Sequence, residues 1–109
     1  MSRHRSAAAA GAALLALAGA GCGGPSAPRT HAVRIERFTF QPAELAVSPG
    51  DTVVFTNADI APHTATADSS WDSGGIERGR SWRLVVPASG IGDYLCLFHP
   101  TMTARLTRR

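Results

Sequence analysis

Lysine is missing altogether: all eleven basic side chains are arginine, set against eight acids for a formal charge of +3. Much of that excess sits at the ends, because Arg3 and Arg5 lie near the N-terminus while Arg105, Arg108 and Arg109 crowd the C-terminus. What remains between them is slightly acidic. Nucleic-acid surfaces carry longer basic stretches interleaved with aromatics, so this distribution excludes a nucleic-acid partner, and the last arginines read as a solvated end. Cysteine is scarce as well. Cys22 and Cys96 stand on opposite sides of a processing site, which excludes a structural disulfide and leaves each needing its own explanation. The apolar run from Ala7 to Ala20 falls short of the about 20 residues that a bilayer-spanning helix needs. No window of the remainder carries a helical period, so the chain reads as all-β.

The N-terminus has a basic start, Met1-Ser2-Arg3-His4-Arg5, followed by the short Ala/Leu run and Gly21-Cys22. That is the composition of an export signal over residues 1–22. Cys22 directly after small residues resembles a bacterial lipobox, in which the cysteine is lipidated and becomes the first residue of the mature protein. Gly19 stands where that motif usually has an aliphatic residue, and ordinary cleavage after Ala18-Gly19-Ala20 is the competing reading. Either reading makes the protein exported, to the periplasm or the outer face of a bacterial membrane, and the first gives it a membrane tether through Cys22. Residues 23–30 are rich in Gly, Pro and Ser and form a tether, leaving 31–109 as one domain. A domain of that size is near the lower limit for stability by burial alone, so a bound metal would add to it.

Within the domain, short β-type runs are punctuated by Pro and Gly. Val33, Ile35, Phe38 and Phe40 suggest a first strand with a local slip in alternation, and Leu45 and Val47 a second. Ser48-Pro49-Gly50-Asp51 is a turn, since Pro presets φ and Gly supplies a positive one. Thr52–Thr56 is the most β-branched run and reads as a buried strand. Further strands are expected at 63–67, 82–86, 94–97 and 102–106, with 69–79 as a loop and Trp71 folding over the core edge. Six or seven short strands point to a two-sheet β-sandwich.

The chemistry lies in Cys96-Leu97-Phe98-His99-Pro100-Thr101-Met102, which puts a thiolate, an imidazole and a thioether on one tight loop, and in His63, a second imidazole after Pro62. Taken singly, each has a bland role: Cys96 as a small buried hydrophobe, Met102 as core filler, His63 as a turn residue. Together, two imidazoles, one thiolate and a weak axial thioether are the ligand set of a blue-copper electron-transfer site. Soft sulfur donors suit Cu(I) and the imidazoles also accept Cu(II), so the set favours copper over zinc. Phe98 and Pro100 flank His99 and are candidates for an apolar rim, whereas Trp71 and Trp82 read as packing residues rather than electron relays.

The run Pro49-Gly50-Asp51-Thr52-Val53-Val54-Phe55 with Asn57, then Pro62-His63, Tyr94 and Cys96-x-x-His99-Pro100-x-Met102, resembles the small cupredoxins, amicyanin above all and also plastocyanin and pseudoazurin. The resemblance covers nearly all of residues 32–107. It implies a Greek-key sandwich with one type 1 copper ion near one end, held by His63, Cys96 and His99 in the equatorial plane and Met102 axially. It also implies a monomeric one-electron carrier, not an enzyme, that docks transiently with redox protein partners. Thr64 stands where the family commonly has an asparagine that braces the ligand loop. A copper-delivery protein and a metal-free interaction sandwich are the alternative functions.

Overall fold

The structure, a computed structural model, describes residues 27–109. The export segment, Cys22 and the first half of the tether lie outside the described residues. The described residues form nine strands, the longer of which alternate buried and exposed positions: β1 (Thr30–Glu36), β2 (Thr39–Gln41), β3 (Glu44–Val47), β4 (Thr52–Asn57), β5 (Thr66–Ala67), β6 (Trp71–Asp72), β7 (Ser81–Val85), β8 (Asp93–Leu95) and β9 (Thr103–Arg108). They form a four-stranded sheet in the order β2-β1-β4-β7 and a five-stranded sheet in the order β3-β9-β8-β5-β6. β1 runs parallel to β4 and β3 parallel to β9, and every other pairing is antiparallel. The two inner faces meet in one core, with Val33, Ile35, Val53, Phe55 and Leu84 on one side and Val47, Trp71, Tyr94 and Leu106 on the other. This is the all-β two-sheet sandwich that the strand pattern implies.

Two details differ from the sequence reading. The slip between Ile35 and Phe40 is a hairpin, not an irregular strand: Glu36 pairs with Thr39, and Arg37 and Phe38 form the two-residue turn with φ of 55° and 57°. Such turns are usually marked by Asn or Gly, which tolerate positive φ, and Arg-Phe gives no such signal. The segment 69–79 is likewise not all loop, because Trp71–Asp72 folds back on Thr66–Ala67 as a two-residue ladder. Trp71 is inside the core rather than at its edge, and its indole N–H donates to the Gly90 carbonyl at 2.9 Å. Gly90 passes so close that a Cβ there would meet Pro87 Cγ at 2.6 Å and Trp71 Cδ1 at 2.9 Å. The Tyr94 hydroxyl is buried without a hydrogen-bond partner, and burial pushes it above the usual phenol range, so it stays neutral and serves packing.

The C-terminal arginines are exposed, as the sequence suggests, but they do not sit on a fraying end. Strand β9 carries the C-terminus back into the sandwich, Arg105 pairs with Asp93, and the Arg109 guanidinium reaches both oxygens of Asp51 at 3.1 and 3.2 Å. Asp51, 1% exposed, also accepts from the backbone N–H groups of Arg29 and Ser48, each at 3.0 Å, and pairs with His31 Nε2 at 2.9 Å. One carboxylate thus ties the start of β1, the β3–β4 turn and the last residue together. These bonds, that from Arg29 first, hold its carboxyl well below the usual range. A depressed folded-state pKa adds stability above the unfolded value of about 3.9, and that stability is lost as the pH falls through the folded value. Denaturant midpoints of the wild type should therefore fall progressively below about pH 4, whereas Asp51→Asn should start lower at neutral pH and respond less to acid. Parallel acid profiles for the two proteins would exclude Asp51 as the source.

Candidate metal centre

The site lies at the pole where β1 and β4 end. Asn57, the last residue of β4, is fully buried, and its side chain organises the loop that follows. Its amide donates to the Ala61 and Ile76 carbonyls at 2.8 Å each, and its oxygen accepts the Asp59 N–H at 2.8 Å. That loop delivers His63, which is 0% exposed and exchanges backbone hydrogen bonds with Ile76.

Asp59 then fixes the His63 ring. Its carboxylate accepts from the Phe38 N–H and the Ile60 N–H at 2.9 Å each and from His63 Nε2 at 2.8 Å. Burial raises the Asp59 pKa, but these donors outweigh it and hold the group below its ordinary value. A carboxylate only accepts, so the imidazole proton resides on Nε2 and the Nδ1 lone pair is free. Nδ1 stands 3.7 Å from Cys96 Sγ. The Asp59→Ala variant is expected to lose this single tautomer, and long-range nitrogen–proton correlation spectra of the metal-free chain would then show mixed His63 protonation. An unchanged Nε2–H pattern would mean that Asp59 does not set it.

Cys96, also 0% exposed, follows β8 directly. The loop from there to Met102 is closed by its own backbone, with Cys96 N–H bonded to the Met102 carbonyl at 3.1 Å and Met102 N–H to the His99 carbonyl at 2.8 Å. Thr64, in the segment that leads from His63 into β5, braces it: its N–H donates to Cys96 Sγ at 3.3 Å and its hydroxyl accepts the Leu97 N–H at 2.8 Å. The shorter reach of threonine is therefore enough to span the two ligand segments. The His99 ring meets that of His63 at a centroid distance of 5.1 Å and is half-buried, and Met102 is buried.

All four candidate residues thus come to one end of the sandwich. Among the described residues, no group of three or more His, Cys, Asp and Glu side chains forms a ready-made metal cage. The candidate set holds three residues of those types, His63, Cys96 and His99, whose side chains do not form such a cage as they stand, and its fourth member is a thioether. What fits a soft metal is the donor chemistry: a free imidazole lone pair directed at a buried thiol, with a second imidazole and a thioether on the same short loop.

Two contributors escape a sequence reading. Phe38 packs edge-on against both imidazoles, at 5.0 Å from His63 and 4.8 Å from His99, and is placed there by the Arg37-Phe38 turn. Asp59 lies in a loop with no periodicity to show which way it points, and only its spacing of four from His63 could have drawn notice. Around them, Phe38, Ile60, Leu97 and Phe98 are exposed large hydrophobics on three loops of the same pole, Ile60 at 75%. Phe98 lies on the rim, its ring 3.6 Å from where a Cβ on Gly75 would stand.

No family model and no curated protein matches the chain. Solved structures do. Reduced amicyanin carrying a proline-to-phenylalanine substitution is 24% identical, with a TM-score of 0.67 over 73% of this chain and 82% of its own. A purple cupredoxin from Nitrosopumilus maritimus is 23% identical, with a TM-score of 0.66 over 72% of this chain and 99% of its own. Oxidised amicyanin carrying a methionine-to-leucine substitution is 22% identical, with a TM-score of 0.66 over 72% and 81%. At these identities what is shared is the fold.

Proposed function

We propose that this chain, a cupredoxin by fold, is an exported one-electron carrier whose copper ion is held by His63, Cys96, His99 and Met102. The observation that carries the reading is the free Nδ1 of His63 facing the buried Cys96 thiol at 3.7 Å. When bound, copper supplies the one-electron couple. The protein's part is to hold the donors still. Asn57 and Asp59 fix His63 while Thr64 and the loop's own backbone bonds fix Cys96, so little has to rearrange when the charge on the site changes. Four protein donors leave no open coordination position for a substrate, which supports a carrier over an enzyme.

The surroundings suit brief contact with redox proteins. Of the four candidate residues, His99 keeps a partly accessible ring, and the exposed Phe38, Ile60 and Phe98 offer an apolar rim that would dehydrate on docking. Such an interface need be only small, as in transient redox encounters. At the opposite pole, the described chain enters beside Asp51 and joins β1, whose residues Thr30 to Ile35 run parallel to Thr52 to Asn57. That separates entry and site by the length of a six-residue strand, roughly 20 Å. A lipidated Cys22 would therefore join the domain at the end opposite the copper pole. No helix among the described residues is long and apolar enough to cross a membrane.

The test is to add one equivalent of Cu(II) to the chain and follow visible absorption through a cycle of reduction and reoxidation. An intense band that bleaches and returns supports the carrier. A copper complex without it, exchanging its metal readily, supports delivery instead, and no copper binding at all overturns both.

A further inference from the structure

The hydroxyls of Thr64 and Thr66 join the thiolate loop to a carboxylate on the outer face of the five-stranded sheet. Leu97 N–H donates to Thr64 Oγ1 at 2.8 Å, Thr64 and Thr66 share a hydrogen bond at 3.0 Å, and the Thr66 hydroxyl donates to Asp72 Oδ1 at 2.8 Å. Each hydroxyl has one proton, which decides the direction of every link. Thr66 gives its proton to Asp72, because a carboxylate only accepts, so the bond between the threonines must be donated by Thr64. The Thr64 oxygen is then left to accept from Leu97. Both threonines are buried, at 2% and 6% exposure, whereas Asp72 opens on a groove lined by Asp68, Asp93 and Arg105.

We infer that Asp72 is a positioning residue for the Cys96 loop, acting through Thr66 and Thr64 on the Leu97 peptide. A chain of hydrogen bonds with one polarity strengthens each member, by about 10–30% per bond in condensed-phase estimates. The carboxylate at its outer end pulls both hydroxyl protons away from the site. Thr64 therefore presents only lone-pair density to the ligand loop, while its own N–H points at Cys96 Sγ. Without Asp72 the hydroxyls lose the acceptor that orders them, and the brace between the His63 and Cys96 segments slackens. This explains how threonine works at a position where a longer amide side chain would reach the loop unaided. The competing role is local: Thr66 and Asp72 are a paired position of the β5–β6 ladder, and Asp72 Oδ1 also accepts the Gly74 N–H at 3.0 Å. A purely local role would not extend to Leu97.

Consequences for a bound metal rest on the copper reading above, whereas those for Leu97 do not. In the metal-free, nitrogen-15-labelled chain, Thr66→Val and Asp72→Ala are both expected to move the Leu97 amide proton upfield. They should also speed its exchange by about two- to ten-fold, the range of one neutral hydrogen bond. Thr66→Ser and Asp72→Glu, which keep the hydroxyl and the charge, should restore the wild-type signal. In the copper-loaded chain both disruptive variants should raise the midpoint potential. In Thr66→Val the rise should persist in 1 M salt, where direct field effects of an exposed charge are screened. An unmoved Leu97 amide in the folded disruptive variants overturns the inference, as does a Thr66→Ser spectrum that matches Thr66→Val. A moved amide in a chain that forms no coloured copper complex supports the relay and overturns the copper reading alone.

Discussion

Loaded with Cu(II), the Cys96→Ser variant is expected to lose the intense visible band by more than about ten-fold while keeping the fold, because the band needs a thiolate donor and serine supplies none. The geometry supports a clean result. Cys96 is fully buried, yet its sulfur already accepts the Thr64 N–H, so a serine oxygen at the same place meets a donor rather than bare hydrocarbon. Burying a hydroxyl there costs about 1–3 kcal/mol, which a sandwich of this size tolerates. Far-ultraviolet circular dichroism should be unchanged, and copper held by the two imidazoles should be pale. Undiminished colour in the variant would place the metal elsewhere and remove Cys96, His63 and His99 as a set from the account.

Phe55→Ala is expected to cost about 3–5 kcal/mol, the usual range for emptying a buried aromatic position. Phe55 is fully buried at the centre of the sandwich. Its ring lies 5.6 Å from Tyr94, 5.9 Å from Trp82, 6.0 Å from Trp71 and 6.5 Å from Phe40. For a domain of 60–100 residues, each kcal/mol shifts the melting temperature by about 4–8 °C, so the metal-free variant should melt about 12–40 °C lower. Val85→Ala on the exposed side of β7 should change stability by no more than about 0.5 kcal/mol. Copper at a hundred-fold excess over its dissociation constant should return about 2.7 kcal/mol to either protein, because only the folded state gathers the four donors. A midpoint indifferent to copper would argue against a site assembled by folding.

The core strands and the ligand loop could be read from the chain because their information is local. The Thr52–Thr56 run is β-branched, Ser48-Pro49-Gly50-Asp51 carries its own turn chemistry, and three of the four candidate ligands fall within seven residues. The β1–β2 hairpin could not be read, since Arg37 and Phe38 adopt positive φ without the residues that favour it. The β5–β6 ladder escaped for a different reason: two residues per strand establish no period. His31 and Arg109 looked idle in sequence because their common partner, Asp51, lies 20 and 58 residues away.

By itself, then, the sequence determined the fold class, the residue types available to a soft metal and their grouping on one short loop, because period, turn chemistry and donor type belong to neighbouring residues. Only the tertiary structure decided how those donors are held. The His63 tautomer depends on Asp59, the placing of Phe38 on a turn formed by an unsuited pair, and the bracing of Cys96 on hydroxyls that lead across the sheet to Asp72. Each of these joins segments that meet only when the two sheets close, and hydrogen-bond direction is a property of the assembled network rather than of any residue in it.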